Sequence, residues 1–237
     1  MSPRPNTIRL KVQRYDPNTD TEPHYDTFAV PTKPGMTVLD ALFHALENQD
    51  GLLAFRYSCR SAVCGSCATF INGKQRLACN TLLSTLRSST VTLGPLPHLP
   101  VVRDLVVNLH PFFQRMDMVK PYFEGKEPYP EKEFLQSPKQ REAIDVAIDC
   151  IDCAACFSSC PMTWTKPSYP GPAAFVKAAR FIADTRDTAR RERLTLAACE
   201  DGLWRCHTVF NCAEACPKSI NPTHFIQYLK RRAAQRL

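Results

Sequence analysis

The chain of 237 residues holds twelve cysteines, and eleven of them fall into three close groups. Cys59, Cys64 and Cys67 are followed by Cys79; Cys150, Cys153, Cys156 and Cys160 form a second run; Cys206, Cys212 and Cys216 form a third. Thiols this close together suit metal ligation better than cross-chain bridging. A disulfide framework belongs to small secreted domains, and zinc sites usually pair two C-x2-C units, of which the first group has one. The C-x4-C-x2-C spacing with one distant cysteine ligates a 2Fe–2S cluster. The C-x2-C-x2-C-x3-C-P spacing ligates cubane clusters, the last cysteine of each run serving the other run's cluster. Residues 150–161 are an intact run of this second kind, ending in Pro161. Counting back from Cys216 and Pro217, the third group is the same run with Val209 where a cysteine is due.

Crossing the last cysteines assigns Cys150, Cys153, Cys156 and Cys216 to a 4Fe–4S cluster. Cys160, Cys206 and Cys212 remain, and a cubane site short of one thiolate tends to hold three irons, so these three are expected to hold a 3Fe–4S cluster. Cys59, Cys64, Cys67 and Cys79 are expected to hold a 2Fe–2S cluster, the alternative being a zinc knuckle on the same thiolates. Gly65 and the small residues Ser61, Ala62 and Ser66 let that loop fold tightly and turn backbone N–H groups toward sulfur. Cys199 fits no cluster and is expected to be a buried structural thiol. His24, His44, His98, His110 and His224 are isolated in sequence and carry no assigned role.

The elements that position these groups follow from periodicity. Residues 7–14 alternate apolar and polar as a half-buried strand, and a second strand is expected near Tyr25–Val30. Val38, Leu39, Leu42, Ala45 and Leu46 recur at helical spacing behind Thr37, a suitable N-cap. Strands at Ala68–Ile71 and Gln75–Ala78 are joined through Asn72 and Gly73, and Thr90–Leu93 adds another. Cys79 then arrives from a strand end. Val101–Leu109 is expected to form a short helix at a proline-rich junction. Residues 113–137, rich in Pro, Lys and Glu, are expected to wrap without regular form. Ser137 and Pro138 start a helix running through Ile144, Ala147 and Ile148. Gly171 and Pro172 open another, with Phe175, Val176, Ala179, Ile182 and Ala183 on one stripe. A further helix is expected over Thr188–Cys199, and Asn221 with Pro222 opens the last. The predicted fold class is α+β, with residues 1–106 a 2Fe–2S ferredoxin-type domain of mixed sheet and helix. Residues 107–237 form an all-helical domain with its clusters held on loops.

Composition bounds the function. Apolar and charged fractions are ordinary for a soluble globular protein, and no apolar run approaches the ~20 residues of a membrane span. Met1–Asn6 show no signal-peptide core. Of the formal net charge of +7, residues 177–237 contribute twelve Lys/Arg against six Asp/Glu, or +6. Such charge suits a solvated helical face, an anionic membrane surface or an acidic partner. No interleaved aromatics or reader motif accompany it, so nucleic acid is not expected as a partner.

The chain resembles the iron–sulfur subunits of succinate dehydrogenase and of its relative quinol:fumarate reductase. The stretches that carry the resemblance are Ser58–Cys67, Pro111–Phe113, Val119–Phe123, Cys150–Pro161, Gly171–Ala173, Arg205–Thr208 and Asn211–Pro222. The resemblance implies a plant-type ferredoxin (β-grasp) domain followed by a bacterial-ferredoxin-like helical domain. It implies an electron relay in which a partner flavoprotein oxidises succinate at FAD and single electrons pass through the 2Fe–2S, 4Fe–4S and 3Fe–4S clusters to a membrane quinone. The substrate-handling acids and bases then reside on the partner, and no catalytic acid or base is expected in this chain. The partners implied are the flavoprotein and one or more membrane-anchor subunits, with or without haem b, at the cytoplasmic face of a bacterial inner membrane. The quinone is ubiquinone or menaquinone.

The family's quinone pocket carries over onto Pro161, the Trp164/Thr165 position and His207, with Val209 nearby. Family members often show two consecutive Trp here, the second lining the quinone; in this chain Trp164 is followed by Thr165. Strict spacing puts Thr165 in the lining position and leaves Trp164 as a quinone contact or a core or interface residue. His207 is a quinone neighbour or a hydrogen-bond partner of cluster sulfur or backbone. The same architecture run backwards is a fumarate reductase, and a soluble ferredoxin-like carrier is the reading from another class.

Overall fold

The computed structural model describes residues 7–235, so Met1–Asn6 lie outside the described residues. The chain divides into two compact units, one ending at Leu109 and the other beginning at His110.

The first unit is a mixed five-stranded sheet, built from β1 (Thr7–Arg14), β2 (His24–Pro31), β3 (Ala68–Ile71), β4 (Lys74–Leu77) and β5 (Thr90–Gly94) in the order β2-β1-β5-β3-β4. β1 runs parallel to β5, and the other pairings are antiparallel. The period of two in β1 turns Ile8, Leu10 and Val12 inward, where Leu10 faces Phe28 and Val12 faces Leu93 in register. Helix α1 (Val38–Asn48) buries Val38, Leu39, Ala41, Leu42 and Ala45 and packs on β2. Its start is fixed by a capping box: Thr37 Oγ1 accepts from the Asp40 N–H while Asp40 accepts from the Thr37 N–H. Such a cap is worth about 1 kcal/mol.

The expected helix over Val101–Leu109 is instead a hairpin of β6 (Val101–Arg103) and β7 (Val106–Val107). Val101, Val102, Val106 and Val107 are β-branched and prefer extended backbone. Asp104 takes φ 46° at the turn, and its buried carboxylate accepts from the N–H groups of Tyr15 and Ala54 and pairs with Arg14 Nε at 3.1 Å. Those long-range partners hold a left-handed residue that periodicity cannot foretell.

In the second unit, α2 (His110–Asp117) buries Phe112 and Met116, four apart on one face. Helix therefore extends into the stretch expected to be irregular, and 118–137 lacks regular structure. α3 (Pro138–Ile148) opens on a second capping box between Ser137 and Gln140. The short helices α4 (Ala155–Ser159) and α5 (Pro161–Thr165) follow, then α6 (Pro172–Ala183), α7 (Arg190–Ala197), α8 (Asn211–Glu214) and α9 (Pro222–Ala234). α6 is the hub. Its alanines Ala173, Ala174, Ala178 and Ala179 are buried, which lets α3, α7 and α9 approach it closely. Phe175, Leu194, Leu203, Ile226 and Leu229 fill the space between them. α7 is shorter than the expected Thr188–Cys199 because the Asp187 carboxylate takes the Ala189 N–H ahead of its first turn. No helix among the described residues is long and apolar enough to cross a membrane.

Candidate metal centres

In the first unit, the loop between α1 and β3 turns back on itself through Arg60, Ala62 and Gly65, all at positive φ. This geometry aims backbone N–H groups at sulfur. Cys59 Sγ accepts from Ser61, Val63 and Cys64 at 3.3–3.4 Å, and Cys64 Sγ accepts from the Cys59 N–H at 3.5 Å. Cys79 lies in a 3-10 turn, Ala78–Asn80, directly after β4, and its N–H meets Cys67 Sγ at 3.5 Å. Ser66 and the surrounding N–H groups bring the Cys64 thiol down to about 6, while burial pushes Cys67 up to about 12. Cys64 is thus a ready thiolate, and Cys67 ionises only if a cation compensates it.

In the second unit the two runs are placed by a repeated backbone. Asp152 and Ala154, two and four residues after Cys150, have φ 52° and 61°; Thr208 and Phe210, two and four after Cys206, have φ 60° and 66°. Each pair of left-handed residues feeds a short helix, α4 carrying Cys156 and α8 carrying Cys212. The two helices touch, and Asn211 Nδ2 donates to Ser159 O across them. The charges of Cys153, Cys150, Cys212 and Cys216 act on Cys156, and those of Cys212 and Cys206 act on Cys160. Burial pushes Cys150 up to about 12, Cys153 and Cys160 up to about 11, and Cys156 well above the ordinary thiol range. Cys212 is raised too, chiefly by burial and against the Thr223 hydroxyl, 3.6 Å from its sulfur.

These donors fit iron–sulfur groups. Buried thiols that resist ionisation alone are turned to thiolates by a cationic core, with release of protons. N–H groups of Asp152, Ala155, Met162 and Ala213 already point at sulfur, and Tyr169, near Cys160, Cys206 and Cys212, keeps a buried hydroxyl that makes no hydrogen bond among the described residues. Among the described residues no three His, Cys, Asp or Glu side chains gather about one point to hold a single ion. Lys177 Nζ lies 3.5 Å from Cys150 O and 3.0 Å from Asp152, and Lys230 Nζ 3.0 Å from Cys206 O, so a cation flanks each run.

A small apolar depression adjoins the three-cysteine group, lined by Cys160, Cys206 and Cys212 together with Pro161, His207 and Val209. Trp164 and Thr165 do not line it. Trp164 is half exposed on α5, and Thr165 Oγ1 donates back to Pro161 O at 2.9 Å. Gln227 Nε2 ties the 206–210 loop to α9 through Thr208 Oγ1. Tyr169 and Thr223 also line the depression and were not singled out from sequence; the one pointer was that Thr223 follows the Asn221 cap. Cys199, expected to be buried, is exposed. It lies beyond the end of α7, where the chain turns through Gly202 toward the next 3-10 turn, and the buried face of α7 is already filled by Leu194 and Ala197.

Residues 9–114 match the family model of the 2Fe-2S iron-sulfur cluster binding domain, and residues 146–220 that of the 4Fe-4S dicluster domain. The chain is 41% identical over 234 residues to the succinate dehydrogenase iron-sulfur subunit of Paracoccus denitrificans, covering 98% of this chain and 90% of that one. It is 42% identical over 231 residues to the mitochondrial succinate dehydrogenase [ubiquinone] iron-sulfur subunit 1 of Oryza sativa subsp. japonica, covering 95% and 82%. A chain of the Mycobacterium smegmatis Sdh1 complex in the apo form superposes with a TM-score of 0.89 at 28% identity, covering 98% of both. A 2Fe–2S domain followed by a 4Fe–4S dicluster domain, matched along nearly the whole length, places the chain in the family of succinate dehydrogenase iron–sulfur subunits.

Proposed function

We propose that this chain is the electron-transfer subunit of a succinate:quinone oxidoreductase, working between a partner flavoprotein and a quinone held against a membrane anchor. In this reading Cys59, Cys64, Cys67 and Cys79 hold a 2Fe–2S cluster, and Cys150, Cys153, Cys156 and Cys216 hold a 4Fe–4S cluster. Cys160, Cys206 and Cys212 hold a 3Fe–4S cluster. Such groups accept and release one electron at a time, and so divide the two-electron oxidation of succinate at the partner's FAD into single steps.

The chain's own residues bind, shield and tune. Ala147, Val176 and Ile220 keep water from Cys150 and Cys216, while the N–H donors around each sulfur favour the more negative, reduced state. Pro161, His207 and Val209 are the residues proposed to meet the quinone. Trp164 and Thr165 are proposed for its outer edge, where α5 is exposed. The anchor, with or without haem b, would hold the complex at the cytoplasmic face of a bacterial inner membrane. The division of seven cysteines into four and three around Val209 carries this reading, because it adjoins the three-cysteine group to an apolar depression. The relatives' names favour succinate oxidation over the reverse direction.

Low-temperature EPR of the complex tests it. The oxidised protein is expected to give a three-iron signal, and dithionite reduction to give 2Fe–2S and 4Fe–4S signals. A diamagnetic sample containing zinc would end this reading.

A further inference from the structure

We infer that the Tyr169 hydroxyl donates a hydrogen bond to a sulfur of the group held by Cys160, Cys206 and Cys212, and thereby raises its reduction potential. The inference rests on the reading that these cysteines hold an iron–sulfur cluster.

Tyr169 is fully buried, one of the largest such side chains among the described residues. Its ring packs against Phe175 at 5.5 Å, its N–H is bonded to Lys166 O, and its carbonyl accepts from Arg115. The side chain is therefore held in one place. Among the described residues, its hydroxyl is one of a handful of buried polar atoms that make no hydrogen bond. Native interiors satisfy nearly all such groups, so an orphan at a ligand cavity points to the ligand. Tyr169 belongs to the wall of the depression that Cys160, Cys206 and Cys212 also line. Those three sulfurs are the neighbours whose charge acts on it, and Cys206 lies on the side to which it would donate, although no hydrogen bond to it is made among the described residues. Thr223 offers a contrast, since its hydroxyl already meets Cys212 Sγ within the chain.

The sign follows from charge. Reduction adds one electron to the iron–sulfur group and leaves the proton on Tyr169 Oη, so no bond is broken. The sulfur becomes more negative, and a hydrogen bond to it strengthens. The donor therefore favours the reduced form.

Tyr169→Phe keeps the ring and removes the donor. In an EPR-monitored redox titration of the intact complex, the reduced-to-oxidised ratio of the three-iron signal at a fixed ambient potential is expected to fall about tenfold, a lowering of about 59 mV for one electron. The midpoint of the 4Fe–4S signal should stay in place, which separates this effect from general loosening. Placing 3-fluorotyrosine at position 169, a stronger donor of nearly the same shape, should move the three-iron midpoint upward, and it decides the matter if the Phe variant does not accumulate. An unchanged three-iron midpoint in these proteins overturns the inference alone. A wild-type complex without a three-iron signal overturns it together with the reading of the site.

Discussion

Arg193 and Asp187 form an ion pair in which neither side chain reaches solvent, with Nη1 2.6 Å from Oδ1. Arg193 also donates to the carbonyls of Lys120 and Tyr122, and Asp187 accepts from the Glu124 N–H. One guanidinium thus fastens the irregular 118–137 segment to α7. Removing one partner strands the other charge in the interior, which costs about 3–5 kcal/mol. Arg193→Met is expected to lower the thermal midpoint by on the order of 10 °C, measured by circular dichroism; a change within two degrees would show the pair to be dispensable.

Asp184 gives the fold a pH dependence. Its side chain is fully buried yet accepts from Arg186 at 2.8 and 2.9 Å and from the Arg186 N–H. Burial pushes the carboxyl up, but the Arg186 side chain and N–H outweigh it and hold the group below the ordinary 3.8. A folded value below the unfolded one means that its stabilisation is complete above the ordinary value and is lost as pH falls through the folded one. Asp184→Asn should therefore be less stable than wild type by about 1–3 kcal/mol at neutral pH, with the gap closing below 3.8. Urea midpoints across that range read the gap directly, and a gap independent of pH would contradict the assignment.

Val209 is half exposed and shares the depression with Cys206 and Cys212. Val209→Cys supplies the missing thiolate on a loop whose flanking residues already have the torsions of the intact run. The oxidised three-iron signal is expected to fall and a second reduced four-iron signal to appear. If the three-iron signal persists at full intensity, cavity shape sets the iron count.

His207 and Trp164 should separate in kinetics, because only His207 lines the depression. His207→Ala is expected to slow succinate-driven quinone reduction about tenfold, the equivalent of about 1.4 kcal/mol, while reduction of a soluble dye at the flavin stays unchanged. Trp164→Ala should have a smaller effect on quinone turnover. Equal losses in the two variants would place the quinone across α5.

Local signals were legible where chemistry sits in neighbouring residues. Thr37, Ser137 with Pro138, and Asn221 with Pro222 each announce a helix start, and Thr37, Ser137 and Asn221 each cap one. The family resemblance rested on short stretches, and relatives matched along almost the whole chain bear it out. What sequence hid depends on distant partners. The 101–107 hairpin turns on Asp104, whose carboxylate is taken by Tyr15 and Ala54. Tyr169 sits in a Pro- and Ser-rich segment without periodicity, so nothing local marks its hydroxyl as buried. Cys199 was expected inside because thiols are usually buried, but the helix stops first and leaves it outside.

The paired left-handed residues at Asp152 and Ala154 and at Thr208 and Phe210 have a consequence for how the chain matures. Non-glycine residues in that conformation cost roughly 1–2 kcal/mol each. Both loops carry that cost at the same offsets from their first cysteine, so incoming iron and sulfide meet one backbone cradle twice. On the proposed assignment, the difference between the two sites then comes down to Val209. An iron-free chain keeps the unfavourable torsions without the bonds that offset them. Residues 150–156 and 206–212 are accordingly where amide exchange and proteolytic nicking of the unloaded subunit should begin.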